Sequence, residues 1–494
     1  MTAPSPSLPE PITSPVVVQA PVLAVTDIDR SCRIAVLFLF TAAVFWLGVG
    51  ALFGWLAAIK AHAPGFLAAP ACLTYGRVRP AAASALVYGF VLQSGLGVAL
   101  WMFCRLGRNL LRGGRMLAGA AVFWNVGLLV GIGLILAGGN TGYEWLEMPG
   151  AASPVLFLGY VLLGGWALVT LHAREERPFY VSQWFLLAAI LWFPWVYSTA
   201  QLLLIFFPVR GVMQAVIAGW YVENLFELCL APFGLAVIFY FIPKLLGRPL
   251  HSRGLALFGF WLLVFFGGWG GLRPSEPVPN WITGVSAVAR VFILLPVITF
   301  AMSWWRTLLA DREKARSDVL LRFMIVAAVS YVIAAVLDTL GAHPLVARVT
   351  AFTLYDHGIA QLKLHGFLSM ALAGAIYYIT PRLVRADWPA PRWIGLHFWC
   401  ATIGMALLSV ALIVGGLVEG GAINNPQTDF TRIVRTTVPF LGTSTLGMTL
   451  LLVAYVLLLA QLGRLLTVYC PCAAIWEWLR PSRPATAVPR RAAR

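Results

Sequence analysis

About twelve apolar stretches, each of roughly 20 residues or more, punctuate this chain at 33–59, 81–107, 116–138, 153–173, 181–208, 211–243, 251–272, 281–305, 318–338, 358–381, 393–418 and 436–463. A stretch of that length matches the hydrocarbon thickness of a bilayer when helical. In lipid every backbone polar group must be satisfied internally, so such stretches have to be helices. Of the 494 residues 60% are hydrophobic and only 11% charged, whereas a soluble globule carries about 25% charged residues. The sequence therefore predicts an all-α membrane protein, a bundle of about 12 transmembrane helices. It divides into a disordered leader over 1–31, the helical domain over 32–465 and a basic tail over 466–494. Aromatic residues near stretch ends, such as Trp184, Trp281, Trp304 and Trp305, fit interfacial belts.

The formal charge of +16 would suit a nucleic-acid partner, but its placement argues against one. Arg105, Arg108, Arg112 and Arg115 fill the connection after the second stretch, and the next connection, GGNTGYEWLEMPGAA, has no Lys or Arg. Lys244, Arg248 and Arg253 follow the sixth stretch; Arg306, Arg312, Lys314, Arg316 and Arg322 follow the eighth; Arg382, Arg385 and Arg392 follow the tenth. This alternation is the positive-inside pattern and puts those connections and both termini in the cytoplasm. The expected partners are membrane lipids and no nucleic acid.

Residues 1–28 lack a basic segment followed by an apolar one, so no cleaved signal is expected and the first stretch does the targeting. Seven cysteines are scattered, mostly within stretches or on the inferred cytoplasmic side, where disulfides are rare. Cys470-Pro-Cys472 lacks the spacing that attaches a c-type haem and is read as an interfacial pair.

Charged side chains inside membrane helices cost roughly 2.5–3.5 kcal/mol each at a helix centre on insertion scales, so they are the informative residues. Glu223 and Glu227 lie one turn apart on one face of the sixth stretch. Lys363 and His365 lie two apart in the tenth, about 200° around a helix, and so serve opposite compartments. His62, His172, His251, His343, His357 and His397 sit at or near stretch ends with no ligand-like pair among them, and Asp338 and Asp356 read as interfacial.

The tenth stretch is also where a resemblance begins. Lys363-Leu364-His365 occupies the place of His-Val-His in subunit I of the cbb3-type cytochrome c oxidases, members of the haem-copper oxidase superfamily. Nearby, Ala373–Leu383 resembles that family's Leu-Tyr-Tyr-Leu-Val-Pro-Arg-Leu, and Leu396–Gly404 its Trp-His-Phe-Trp-Leu-Ala-Thr-Ile-Gly. Upstream, Gly76–Ala85, Gly219–Asn224 and Phe239–Ser252 are similar to the family's Gly-Arg-Leu-Arg-Pro, Trp-Trp-Tyr-Gly-His-Asn and Tyr-Tyr-Phe-Val-Pro-Lys segments. Asn425–Gly442 resembles the lead into the last span, and the likeness runs in order from about residue 75 to 460.

The resemblance implies a haem-copper oxidase subunit I-like fold in the bacterial inner membrane. It also implies a site from which nearly every ligand is missing. The second-span ligand of the low-spin haem falls on Ala82, the sixth-span copper ligand on Glu223, and the seventh-span histidine pair on Arg273 and Pro274. The active-site tyrosine falls near Gly267, the high-spin haem ligand falls on Lys363, and only the low-spin ligand His365 keeps its identity. One carboxylate with an arginine and a proline suits no copper. The expectation is no copper and no cofactor, with His365 a core histidine hydrogen-bonded to a neighbouring helix; one haem b on His365 and a haem on a deprotonated Lys363 are the alternatives. Glu223, Glu227, Lys363 and Arg273 are expected to form a buried ion-paired cluster, the alternative being a Lys363 that snorkels to water or headgroups. Three functions stay open. The chain is a structural or assembly member of a respiratory complex, holding a cytochrome c-type or other respiratory subunit, with catalysis of its own in doubt. Alternatively it transfers electrons as a terminal oxidase subunit with an altered haem set, or it conducts protons or ions.

Overall fold

The computed structural model describes residues 24–176 and 178–469. Among the described residues eleven helices are long and apolar enough to cross a membrane: α1 (Val25–His62), α2 (Tyr75–Gly107), α3 (Gly114–Ala137), α4 (Ser153–His172), α5 (Val181–Phe206) and α6 (Val212–Leu246), then, after the shorter α7 (Arg253–Phe266), α8 (Asn280–Leu309), α9 (Val319–Ala342), α10 (Leu354–Val384), α11 (Pro391–Ile423) and α12 (Phe430–Thr467). Each of the twelve stretches contains a helix, but that of the seventh, 14 residues long, is too short to cross alone, and the expected twelve crossings require the non-helical segment after it to complete that one. The leader is shorter than expected, since residues 25–31 already belong to α1. The rest of it, and the tail from 470 with Cys470 and Cys472, lie outside the described residues.

A membrane helix apolar on all sides can face either lipid or protein, so hydropathy alone does not rank the helices. Packing does. The apolar windows of α2, α6 and α10 are 100%, 94% and 89% buried, against 39% for α3 and α8. These three central helices carry Ala82, Glu223, Glu227, Lys363 and His365. Outer helices leave apolar residues such as Leu129, Phe265 and Trp281 exposed on the outside of the bundle. Trp304, expected at an interface, is instead in the core against Phe239 and Phe300.

Close helix approach rests on small residues, as in membrane bundles generally. At the α11–α12 crossing a Cβ on Gly404 would lie 2.8 Å from the Gly447 carbonyl oxygen, and one on Gly447 would lie 2.6 Å from that of Gly404. The central helices are also locally widened into π-helical turns, at Ala85–Val91 in α2, Leu225–Leu230 in α6 and Leu362–Ser369 in α10, with a fourth at Gln201–Phe206 in α5. Such turns gather at functional positions. Here the first begins three residues after Ala82, the one in α6 contains Glu227, and the one in α10 contains Lys363 and His365.

The shortness of α7 follows from its sequence. Gly267-Gly268-Trp269-Gly270-Gly271 ends the helix, with Gly271 at φ +102°, where a side chain is strongly disfavoured. Irregular backbone among membrane helices needs protein partners. The Asn224 side-chain amide donates to the Gly268 carbonyl (3.2 Å), and the Leu272 N–H donates to Ser286 Oγ (3.0 Å). That non-helical segment delivers Arg273 to the interior of the bundle.

Candidate functional site

Seven charged side chains meet between α6, α8, α9, α10 and the segment after α7. Asp338, near the end of α9, is the hub. Its carboxylate accepts from Lys363 Nζ at 2.7 Å, from Arg273 Nη2 at 3.2 Å, and from Arg290 Nη1. The other terminal nitrogen of Arg290 donates to Glu223, and Arg273 Nη1 lies 2.8 Å from Asp356. Glu227 stands 3.9 Å from Lys363, whose ammonium also lies 4.3 Å over the face of the Phe226 ring. The inner members have side chains only 3–13% exposed, and the Arg273–Asp356 pair forms the rim at 23% and 36%.

All four expected members, Glu223, Glu227, Lys363 and Arg273, therefore join one network, with Glu227 beside Lys363 as expected and the other pairings different. Glu223 pairs with Arg290 and not with Lys363. Asp338 is not interfacial: it is buried, and it holds three cations. Asp356 does sit at the edge. Sequence reasoning missed Arg290 altogether and gave Asp338 no place in the cluster. Arg290 had a plain signal, a lone arginine inside the eighth apolar stretch. Asp338 ended its stretch, and only the fold reveals that this end lies beneath Arg273.

The glycine run after α7 closes the network from above. A Cβ on Gly270 would come within 2.3 Å of Glu223 Oε1 and 2.9 Å of Arg290 Nε. A Cβ on Gly267, where the resemblance places the active-site tyrosine, would meet Leu228 at 3.1 Å and Glu227 Cβ at 3.4 Å. Backbone packs where a ring would stand. Pro274 adds no donor, having neither a polar side chain nor an N–H.

The donor set does not fit copper or a second haem. Guanidinium groups offer no lone pair, and Lys363 spends its ammonium on Asp338. Among the described residues no three His, Cys, Asp or Glu side chains form a group that could hold a metal ion.

His365 faces the other way, as its spacing from Lys363 predicted. Its Nδ1 is 2.8 Å from Tyr455 Oη of α12, with the two rings stacked at 27°. His365 and Ala82 line a cavity of about 690 Å³ enclosed by α1, α2, α10, α11 and α12. Its lining combines apolar residues, among them Gly50, Gly54, Leu86, Leu408 and Met448, with the polar Arg79, Glu144, Glu147 and His357. Its size lies within the range of small-molecule sites. Glu147, on the α3–α4 connection, has Ser84 Oγ 3.4 Å from its carboxylate, and burial pushes its pKa up to about 7, with Glu144 adding to the rise and backbone hydrogen bonds and Arg79 opposing it. His397, expected near a helix end, is fully buried, with Nδ1 at 2.8 Å from Tyr377 Oη.

Residues 33–450 match the family described as Cytochrome C and Quinol oxidase polypeptide I. The chain is 28% identical over 395 residues to the cytochrome c oxidase subunit 1 homolog of Agrobacterium tumefaciens (strain T37), covering 76% of this chain and 72% of that one. It is 24% identical over 367 residues to the cbb3-type cytochrome c oxidase subunit CcoN1 of Stutzerimonas stutzeri, covering 72% and 77%. A heme-copper terminal oxidase dimer solved by cryo-EM shares the fold, with a TM-score of 0.71 at 15% identity over 88% of this chain and 84% of that chain.

Proposed function

Since this chain belongs to the Cytochrome C and Quinol oxidase polypeptide I family, we propose that it is a subunit I-like component of a bacterial respiratory complex that does not reduce oxygen at a haem-copper centre of its own. Its role in this reading is structural or for assembly, holding a cytochrome c-type or other respiratory subunit in the inner membrane. The arginine-rich connections and both termini face the cytoplasm.

The observation that carries the reading is the chain of contacts from Lys363 through Asp338 and Arg290 to Glu223. Two of those positions, Glu223 and Lys363, are where the resemblance puts a copper ligand and a haem ligand. Copper prefers imidazole or soft sulfur, and a buried charge is tolerated when paired and hydrogen-bonded. The network spends its charges on one another.

The test is made on protein purified in detergent away from any native oxidase. Copper is measured by mass spectrometry, haem by pyridine haemochrome, and oxygen uptake with a chemically reduced electron donor. The expected result is no stoichiometric copper, at most one haem per chain and no oxygen uptake above buffer. One copper and two haems per chain with turnover would overturn the reading. The cavity beside His365 favours a second role, electron transfer through a single haem b, which the same haem determination decides.

A further inference from the structure

The family's second-span haem ligand is lost at Ala82, yet the space beside it is neither filled nor purely apolar. A Cβ on Gly54 of α1 would lie 2.7 Å from Met448 Cε, 3.7 Å from Met448 Sδ and 3.9 Å from Ala82 Cβ. The Met448 thioether and Ala82 thus touch the same point in the wall, and the absence of a side chain at Gly54 is what lets the thioether lie there. Met448 and His365 both line the cavity.

The same helix, α12, governs both residues. Met448 precedes Tyr455 by two turns, so the two lie on one face. Tyr455 holds His365 Nδ1. In the tautomer that donates Nδ1–H to the tyrosine oxygen, the lone pair is on Nε2, the state in which an imidazole binds a metal. The cavity itself is amphipathic, its lining joining apolar residues to Arg79 and to the carboxylates of Glu144 and Glu147. A flat apolar ring system fits it with any acidic group set on Arg79 and away from the two glutamates.

Resting on the reading above, we propose that this cavity takes one haem, with His365 as one axial ligand and the Met448 thioether as the other, in place of the ligand lost at Ala82. Histidine–methionine ligation is established haem chemistry and raises the reduction potential relative to two histidines. Tyr455 is a positioning residue, fixing the imidazole.

The experiment uses the full chain expressed with haem supply and purified without other subunits. Haem stoichiometry is read by pyridine haemochrome, and ligation by optical and magnetic circular dichroism spectra of the oxidised protein. One haem per chain is expected, six-coordinate and low-spin, with the long-wavelength sulfur-to-iron charge-transfer band. Met448→Leu should keep haem on His365 but lose that band, turn high-spin and gain carbon monoxide binding. Met448→His should restore a low-spin spectrum without the band and lower the midpoint potential; His365→Ala should lose the haem. Wild-type protein without haem, or a Met448→Leu spectrum identical to wild type, overturns the proposal and leaves the absence of an oxygen-reducing centre standing. Stoichiometric copper with a second haem overturns that broader reading instead.

Discussion

At the residue scale, Asp338 is the position on which the charge network turns. It bridges three cations at once, so Asp338→Asn removes the carboxylate that Arg290, Arg273 and Lys363 share and leaves each with one carboxylate partner, Glu223, Asp356 and Glu227 respectively. Breaking a buried ion pair from one side costs about 3–5 kcal/mol, and that is the loss expected here. Lys363→Met leaves Asp338 paired with both arginines but takes from buried Glu227 its ion-pair partner, so its unfolding temperature in detergent should also fall below wild type. Equal unfolding temperatures for Asp338→Asn and wild type would refute the hub role. Glu147 makes a pH prediction in the cavity lining. Its folded pKa of about 7 lies above the ordinary 4.5, so the folded loop binds more protons than the open loop between those values. Loop stability is therefore full below about pH 4.5 and declines as pH rises through 7, by up to about 3 kcal/mol. Amide exchange of residues 139–149, corrected for intrinsic rates, should show more protection at pH 5 than at pH 8, and Glu147→Gln should flatten the difference.

At the element scale, two glycine-dependent packings hold the site in place. The α11–α12 crossing needs Gly404 and Gly447 because each faces the other's backbone at under 3 Å from a notional Cβ. Gly404→Val should separate the helices and lower both yield and unfolding temperature, whereas the same change at Gly395, which has open space around it, should be tolerated. The segment after α7 behaves similarly. Gly270→Ala places a methyl against Glu223 and Arg290, and a rise in proteolytic nicking of the 267–279 segment would register it. The hydropathy pattern showed a seventh apolar stretch, and its glycine run was visible. What it could not show is that the helix stops at Phe266 so that the following backbone can fold inward over the network. Nor could the pattern show the π-helical turns, since their i→i+5 bonding depends on what packs against the helix and not on its apolar period.

On the scale of the whole molecule, opposite ends of the bundle differ in charge. The exposed Cys72 lies in the α1–α2 connection, on the side away from the arginine-rich loops. In intact cells it should react with a membrane-impermeant maleimide, a signal lost in Cys72→Ser; labelling only after lysis would invert the assigned orientation. The ion-paired interior also predicts no conduction, and liposomes containing the protein should pass protons no faster than empty ones. Flux abolished by Glu223→Gln would revive the conduit reading. The sequence by itself determined that the chain is a multi-span helical membrane protein, where its helices run, that its basic residues cluster in alternate connections, and that Lys363 and His365 serve different compartments. Those properties depend on local length, hydropathy and angular spacing, which are written along the chain. Only the tertiary structure decided that Asp338 and Arg290 complete the network, that Glu223 turns to Arg290, and that Met448 lies beside Ala82. Each of these joins side chains from helices distant in sequence, and in a bilayer, where apolar helices pack without a directing hydrophobic pattern, shape and charge complementarity choose the partners.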